Sequence, residues 1–217
     1  YHFESQSGSD ASVDEEETFL AYIPCWMRQD ILLLLAASSQ DVIDIYNART
    51  GDILTTLDAP PPCSIGIRSM LVTYVERKWF NQWKDLDEND GFNLFHPADR
   101  RAHLKPLIFC ASGKNIKIWD METGNLGQLL QGHTRNINCL AVARCPTTGT
   151  YIVISGSQLV CVWNLRSGEN IKTIKLSNKV GACDITSLQV RILNATKQML
   201  FLCSKPQIYF TKGYSEF

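Results

Sequence analysis

Two stretches of the sequence follow the same pattern, and together they decide the predicted fold. They are residues 115–130, NIKIWDMETGNLGQLL, and residues 159–174, LVCVWNLRSGENIKTI. In each stretch an alternating apolar run ends in Trp119 or Trp163, an Asp or Asn follows, and a Gly comes four positions later. A second apolar run follows the Gly. This order predicts a β-hairpin closed by a tight turn that contains glycine.

The hairpin pattern recurs along the chain as part of a larger unit. Residues 41–57 (DVIDIYNARTGDILTTL) give a third copy, and residues 207–213 (QIYFTKG) give a weaker fourth. Two further strand-like runs precede each hairpin. These pairs of runs are 19–25 with 31–37, 67–75 with 107–111, 137–143 with 151–154, and 185–192 with 199–203. The repeating unit is therefore predicted to be four short antiparallel strands.

The spacing of the units selects one all-β architecture. The aromatic residues that end the first strand of each hairpin, Tyr46, Trp119 and Trp163, lie 73 and then 44 positions apart. Removing an insertion at about residues 77–106 brings the first interval down to the second. Four-stranded units that recur every 40–45 residues are typical of a β-propeller. A β-sandwich is the alternative, but its strands need not recur as four-strand units with matching hairpins.

The same spacing predicts the domain organisation. Residues 19–217 form a propeller segment with blades over about 19–60, 67–132, 133–178 and 182–217, and residues 77–106 interrupt the second blade. The last blade is incomplete because the sequence stops before its fourth strand. An exposed blade edge invites aggregation. Since the sequence also begins at Tyr1 and not at Met, we expect a partial ring from a longer chain.

One pair of dipeptides resembles a known repeat family. Gly132-His133, followed 30 positions after the His by Trp163-Asn164, is similar to the Gly-His to Trp-Asp frame of the WD-repeat family, and Trp119-Asp120 supplies a Trp-Asp pair. The resemblance covers roughly residues 19–217. It implies an all-β, β-propeller fold of four-stranded antiparallel blades, with about four blades in this chain and seven in the native ring.

The resemblance also implies roles for particular residues. In WD-repeat blades a His, an Asp, a Ser or Thr and the Trp form a buried hydrogen-bonded set. His133, Ser155 and Trp163 match three of these roles, and Trp119 with Asp120 occupies the corresponding turn of the second blade. The Asp expected before the third strand is missing, because the turn at residues 155–159 is shorter than the family pattern. We therefore expect a divergent member whose blades depend more on apolar packing.

Charge is distributed unevenly along the chain. The 21 basic and 22 acidic residues give a net charge of -1, which excludes a whole-chain electrostatic attraction to nucleic acid or anionic membrane. Residues 1–18 hold six acidic residues and no Lys or Arg, and their composition predicts a flexible leader. Ser9 and Ser12 precede acidic residues and resemble acidic-directed phosphorylation sites, although a plain solvated linker is the alternative.

The cysteines and the apolar runs bear on cofactors and location. None of the eight cysteines forms a C-x-x-C pair, and no His cluster accompanies them, so no metal and no cofactor is predicted. Free thiols inside apolar runs fit a reducing compartment. The longest apolar run, residues 31–37, is too short to span a membrane, and no signal-peptide pattern is present. We expect an intracellular protein, cytoplasmic or nuclear.

The insertion at residues 77–106 is the main candidate for binding. Val75, Trp79, Trp83 and Leu86 are spaced at helical intervals, which predicts a helix with two indoles on one face. That face would either bind a partner or dock on the blades of its own chain. The candidate partner contacts are Trp79, Phe80, Trp83, Phe92 and Phe95 in the insertion, with Arg135 and Arg166 on blade loops.

The sequence shows no pattern typical of catalysis. It has no nucleophile elbow, no phosphate-binding glycine loop and no paired carboxylates, and His133 has a structural role in the WD-repeat frame. We therefore predict a non-catalytic interaction scaffold within a multiprotein complex. One alternative is a substrate receptor of a cullin-type ubiquitin ligase, because residues 163–166 (WNLR) resemble a Trp-Asp-x-Arg docking box. A propeller-fold enzyme is the other, and it would need acids or histidines clustered at the ring centre.

Overall fold

The computed structural model describes residues 19–23, 33–37, 42–58, 66–79, 103–175, 184–193, 198–204 and 208–210. The regular secondary structure of these residues consists of β-strands and one turn of 3-10 helix, and none of them lies in an α-helix. The all-β class is confirmed. The predicted leader at residues 1–18 and residues 80–102 of the insertion lie outside the described residues.

The strands form four antiparallel sheets, and each sheet follows the order of the chain. Sheet 1 contains β1 (Phe19–Ile23), β2 (Leu33–Ala37), β3 (Ile43–Asn47) and β4 (Ile53–Leu57). Sheet 2 contains β5 (Ile67–Glu76), β6 (Leu104–Ser112), β7 (Asn115–Asp120) and β8 (Leu126–Gln131). Sheet 3 contains β9 (Cys139–Arg144), β10 (Tyr151–Gly156), β11 (Leu159–Asn164) and β12 (Asn170–Lys175). Sheet 4 contains β13 (Ser187–Leu193), β14 (Gln198–Ser204) and β15 (Ile208–Phe210).

The outer hairpins of sheets 1 to 3 close with identical turns, which begin at Asn47, Asp120 and Asn164. In each turn this residue donates its N–H to the carbonyl five positions later at 2.9 Å and accepts the N–H of the glycine four positions later at 2.8 Å. The glycines have φ of 79°, 72° and 74°, a region that disfavours side chains. The side-chain Oδ1 accepts the N–H two positions later at 3.0, 2.9 and 2.8 Å. Both Asn and Asp can form this turn because the turn itself uses only Oδ1.

The four sheets pack in series. The first strands contact one another in order, β1 with β5, β5 with β9, and β9 with β13. A separate buried cluster lies between each pair of consecutive sheets. In β6, Ile108 and Cys110 belong to the cluster with sheet 1, whereas Leu107, Phe109 and Ala111 belong to the cluster with sheet 3. Both faces of this strand are buried, unlike the strands of a two-layer β-sandwich.

A backbone hydrogen bond recurs between consecutive sheets. Ile137, two residues before β9, donates its N–H to Gly113 O at 2.7 Å, and Ile185, two residues before β13, donates to Ser157 O at 2.6 Å. Each acceptor is the first residue after the second strand of the preceding sheet. Both isoleucine side chains are fully buried. These hydrogen bonds attach the first strands of sheets 3 and 4 to the preceding sheet.

The insertion begins where the sequence predicted, at residue 77, but it ends earlier. Residues 104–106 belong to β6, so the excursion leaves β5 after Glu76 and returns at His103. Pro106 is accommodated because its carbonyl accepts Met121 N–H at 3.1 Å on the side where β7 has already ended. A proline lacks the N–H that a continued ladder would require.

The predicted helix is also corrected at its start. Val75 lies in β5, pairs with Lys105 and is buried between sheets 2 and 3, so it cannot share a helical face. Only Arg77–Trp79 form a turn of 3-10 helix. Trp83 and Leu86 lie outside the described residues.

Candidate functional site

The buried polar set of sheet 3 is centred on the Ser155 hydroxyl. Trp163 Nε1 donates a hydrogen bond to Ser155 Oγ at 2.8 Å, and His133 Nε2 lies 2.6 Å from the same oxygen. All three side chains are buried. Ser155 lies on β10 and Trp163 on β11, while His133 comes from the loop before β9. The structure thus brings together the three residues that the WD-repeat frame matched.

The Gly-His dipeptide contributes to this set through both of its residues. Gly132 has φ of 151°, and a Cβ at this position would lie 3.1 Å from the Trp163 ring, so glycine permits the close approach. Burial lowers the pKa of His133 to about 4, so its imidazole is neutral at pH 7. His133 Nδ1 lies 3.9 Å from Cys161 Sγ. Cys161 therefore lies next to Nδ1, the ring nitrogen of His133 that does not contact Ser155.

A serine beside a histidine can in principle form a nucleophile and base. Here Ser155 is fully buried, and its Oγ already accepts the Trp163 N–H. A substrate has no access to that oxygen without displacing the core. The hydrogen bonds of this set hold the Trp163 indole and the loop that carries His133 in one orientation.

The corresponding positions of sheet 2 carry different residues. The strand register aligns Ser155 and Cys161, which pair across sheet 3, with Cys110 and Lys117 of sheet 2. Trp119 Nε1 is buried and has no hydrogen-bond partner among the described residues. Asp120, in the turn, makes an ion pair with Lys105 at 2.6 Å, and both side chains are largely buried. Sheet 2 therefore has an ion pair at its turn and no polar clamp on its indole.

The first and last residues of the insertion lie at the same end of the sheets as the outer turns. Arg77 donates its backbone N–H to His103 O at 2.9 Å, which joins the two ends of the excursion. The Arg77 guanidinium binds the Glu122 carboxylate through both of its nitrogens, with Nη1 to Oε2 at 2.7 Å. A bidentate pair of this kind fixes orientation as well as distance. We call these contacts the neck of the insertion.

A second group of charges connects the neck to sheet 3. Glu76 lies 2.5 Å from Lys78 Nζ and 3.1 Å from Arg144 Nη1. Arg144 also donates Nε–H to Gly149 O at 3.0 Å, and its guanidinium lies over the Tyr151 ring at 5.9 Å from the centroid. The ends of β5 and β9 are thereby joined by side chains.

The candidate partner contacts fall in three places. Trp79 lies in the 3-10 turn beside the neck, whereas Phe80, Trp83, Phe92 and Phe95 lie outside the described residues. Arg166 is exposed in the β11–β12 turn, and Arg135 is exposed in the loop before β9. These two arginines lie at opposite ends of six-residue strands, about 17 Å apart along the strand direction.

The two ends of the sheets therefore have distinct contents. The neck end holds the neck and the outer turns at 47–52, 120–125 and 164–169. The entry end holds the starts of the first strands, the β6–β7 and β10–β11 turns, and the loop at 132–138. The sequence predicted that Arg135 and Arg166 lie on blade loops, but it did not assign them to different ends of the sheets.

Several positioning residues escaped the sequence analysis. The inter-sheet hydrogen bonds of Ile137 and Ile185 had one available signal, an isoleucine two residues ahead of each first strand. The β9–β10 turn repeats the outer-turn geometry, with Gly149 N–H donating to Cys145 O at 2.8 Å and Cys145 N–H donating to Thr150 O at 2.7 Å. Its signal was a glycine four positions after Cys145.

Other features of the described residues concern thiols, metals and membranes. Cys110, Cys139, Cys145 and Cys161 are buried free thiols. Among the described residues no three His, Cys, Asp or Glu side chains are grouped to hold a metal ion. No described helix has the length and apolar character needed to cross a membrane.

Similarities to known proteins are found among solved structures. No protein-family model and no curated protein matches the sequence. The chain is similar to the crystal structure of the computationally designed Ika8 protein, with 16% sequence identity and a TM-score of 0.49. The alignment covers 85% of this chain, which spans 41% of the designed chain.

Proposed function

We propose that this chain is a segment of a WD-repeat-type β-propeller that serves as a non-catalytic platform for protein binding within a complex. The observation that carries the proposal is the serial packing of the sheets through their first strands. Successive sheets joined at one edge collect their loops at two common ends, and side chains on such loops are held at fixed spacing. A rigid array of this kind lowers the ordering cost of binding a partner.

The neck supports the choice of one binding element. Its backbone bond and its bidentate ion pair hold the two ends of residues 80–102 at one place on the neck end. The sequence between those ends contains Phe80, Trp83, Phe92 and Phe95. Aromatic residues are favoured as interface anchors because each buries a large area at a low entropic cost. We propose that this segment binds the partner.

The test is affinity capture with two forms of the chain. In one, residues 80–102 are replaced by a short Gly-Ser linker, which keeps Arg77, His103 and Glu122 of the neck. In the other, Phe80, Trp83, Phe92 and Phe95 are replaced by Ser at unchanged length. We expect both forms to unfold at the temperature of the unaltered chain and to lose the same captured proteins. An unchanged set of captured proteins would contradict the assignment of binding to this segment.

A second test addresses the platform itself. Cryo-electron microscopy of the protein in its complex should show the sheets arranged about a shared axis, with partner density at the neck end. Partner density confined to the outer strands β4, β8 and β12 would overturn the proposal.

A further inference from the structure

Basic residues lie at both ends of the sheets. At the neck end, Arg77, Lys105 and Arg144 each make an ion pair with an acidic side chain, whereas Arg49 is exposed and makes none with a described residue. At the entry end, Arg68, Lys114 and Arg135 are exposed, and none of them makes an ion pair with a described residue. We call these three residues the entry-end patch. Its positive charge is unmatched by the part of the chain that the structure describes.

One backbone and one side-chain hydrogen bond hold the members of the patch near one another. Ile137 N–H donates to Gly113 O at 2.7 Å, which places the loop at 132–138 beside the β6–β7 turn. Lys114 follows Gly113, and Arg135 comes two residues before Ile137. Arg68 Nη1 donates to Asn138 Oδ1 at 3.1 Å, so it lies beside the same loop. The three cations therefore surround one inter-sheet contact.

The described acidic residues of the entry end lie to either side of this patch. Asp58 follows β4 on sheet 1, and Asp184 precedes β13 on sheet 4. The patch itself lies over the junction of sheets 2 and 3. An anionic segment bound there would gain attraction from three cations, with two acidic side chains at the margins.

A segment of matching charge directly precedes β1 in the sequence. Residues 1–18 hold six acidic residues and no Lys or Arg, and four of the acids are consecutive at Asp14, Glu15, Glu16 and Glu17. The rest of the chain carries 21 basic and 16 acidic residues, since the whole has 21 and 22. The acidic surplus of the molecule is thus concentrated in this one segment.

Strand register places the start of β1 at the entry end. Phe19 pairs with Ala37, Ala37 pairs with Ile43, and Ile43 shares a buried cluster with Ile67 at the start of β5. β1 also contacts β5 directly. Residues 14–17 precede Phe19 by two to five positions, so their reach from it is at most about 18 Å. The acidic run can therefore meet the patch without any change in the sheets.

We propose that residues 14–17 bind the entry-end patch of their own chain. The bound segment neutralises the patch. This inference is independent of the binding segment at the neck end.

Zero-length carbodiimide cross-linking of the full chain tests the proposal, because the reagent joins a carboxylate to a lysine amine only when the two are in contact. We expect a cross-link between Lys114 and a carboxylate of residues 14–17, located by mass spectrometry. Its yield should not depend on protein concentration. It should fall about tenfold between 0.05 and 0.5 M NaCl, because salt screens exposed charges.

Charge reversal supplies the matched control. Arg68→Glu with Arg135→Glu leaves Lys114 in place, and we expect the cross-link to fall about tenfold. Arg49→Glu with Arg166→Glu changes the net charge equally at the neck end, and the cross-link should persist. Circular dichroism checks that both variants fold, and the salt dependence of the unaltered chain serves as the readout if the first does not.

Three results would overturn the proposal. One is an equal loss of the cross-link in both charge-reversed variants, which indicates attraction by net charge alone. Another is a cross-link that forms only between isotopically distinct copies in a mixed sample, which indicates a second molecule as the occupant. The third is absence of any product between Lys114 and residues 14–17.

Discussion

Sheets 2 and 3 share one backbone frame but hold their buried indoles by different means. Trp163 of sheet 3 donates to Ser155, which is also bound by His133. In sheet 2 the position equivalent to Ser155 is Cys110, and Trp119 Nε1 has no described hydrogen-bond partner. The bulge before each Trp and the turn after it are nevertheless the same.

This comparison indicates that the hairpin forms because of its turn and does not require the polar clamp. A buried indole contributes several kcal/mol through the apolar area it removes from water, at about 25 cal/mol per Å². An unpaired buried N–H costs about 1–3 kcal/mol. Packing in sheet 2 outweighs that cost, because Trp119 lies in the cluster with sheet 1. The clamp of sheet 3 therefore adds stability and orientation to a hairpin that could form without it.

The largest expected effect comes from replacing each tryptophan by phenylalanine. Trp163→Phe removes a donor and leaves Ser155 and His133 without it, so we expect a loss of about 3 kcal/mol in the free energy of unfolding. Trp119→Phe removes an N–H that has no described partner, so the expected loss is about 1 kcal/mol. Urea unfolding followed by circular dichroism measures both. Equal losses would show that the hydrogen bond of Trp163 contributes nothing.

The pH dependence of stability should come from sheet 3. Because burial lowers the pKa of His133 to about 4 from 6.5, the unfolded chain binds a proton between these values and the folded chain does not. Stability should be highest above pH 6.5 and should fall by about 2 to 3 kcal/mol as the pH drops to 4.

Two histidine variants isolate this effect. His133→Gln should flatten the curve of unfolding free energy against pH between 4 and 6.5. His103→Gln, an exposed histidine at the neck, is the matched substitution with which that slope is compared. A slope that persists in His133→Gln would assign the pH dependence to other groups.

The next effect compares the outer turns of sheets 1 and 3. Gly51 and Gly168 have nearly equal φ, but a Cβ on Gly51 meets nothing within 4 Å, whereas one on Gly168 overlaps the Gln128 amide of sheet 2. Gly51→Ala should cost about 1 kcal/mol from backbone strain alone. Gly168→Ala should cost about 2 kcal/mol, because the amide at the end of the flexible Gln128 side chain must also move.

A double variant sharpens this comparison. Gln128→Ala removes the overlapping amide, so Gly168→Ala in that background should cost only about 1 kcal/mol. Thermal and urea unfolding measure the difference. If the cost stays at its single-variant value, the strain lies within the turn and the contact between sheets 2 and 3 does not determine it.

The sequence was sufficient for the hairpins because their signals are local. The aromatic residue, the Asn or Asp and the glycine four positions later each serve the turn in which they stand, so spacing alone predicted Gly51, Gly124 and Gly168. Strand order within each sheet followed from the same repetition.

The rest depends on contacts between distant residues. In the neck, Arg77 pairs with Glu122. Between sheets 2 and 3, a backbone hydrogen bond joins Ile137 to Gly113. Neither pair has a spacing rule. Residues 104–106 were assigned to the insertion, whereas the structure pairs them with residues 74–76 of β5, and Pro106 is tolerated where β7 has ended. The separation of Arg135 from Arg166 likewise required the strand register.

The smallest expected effect tests the equivalence of Asn and Asp in the turns of sheets 2 and 3. Asn164→Asp keeps the Oδ1 acceptor for Arg166 N–H and should change stability by less than about 0.5 kcal/mol. Asp120→Asn keeps the same acceptor for Glu122 N–H but removes the carboxylate that pairs with Lys105, and it should cost about 1–2 kcal/mol. Adding Lys105→Met to Asp120→Asn should recover part of that loss, because the buried ammonium is then removed as well. If Asn164→Asp were instead the more costly change, the turn would require the amide nitrogen, and the interchange of the two residues at this position would have to be explained by a contact other than Oδ1.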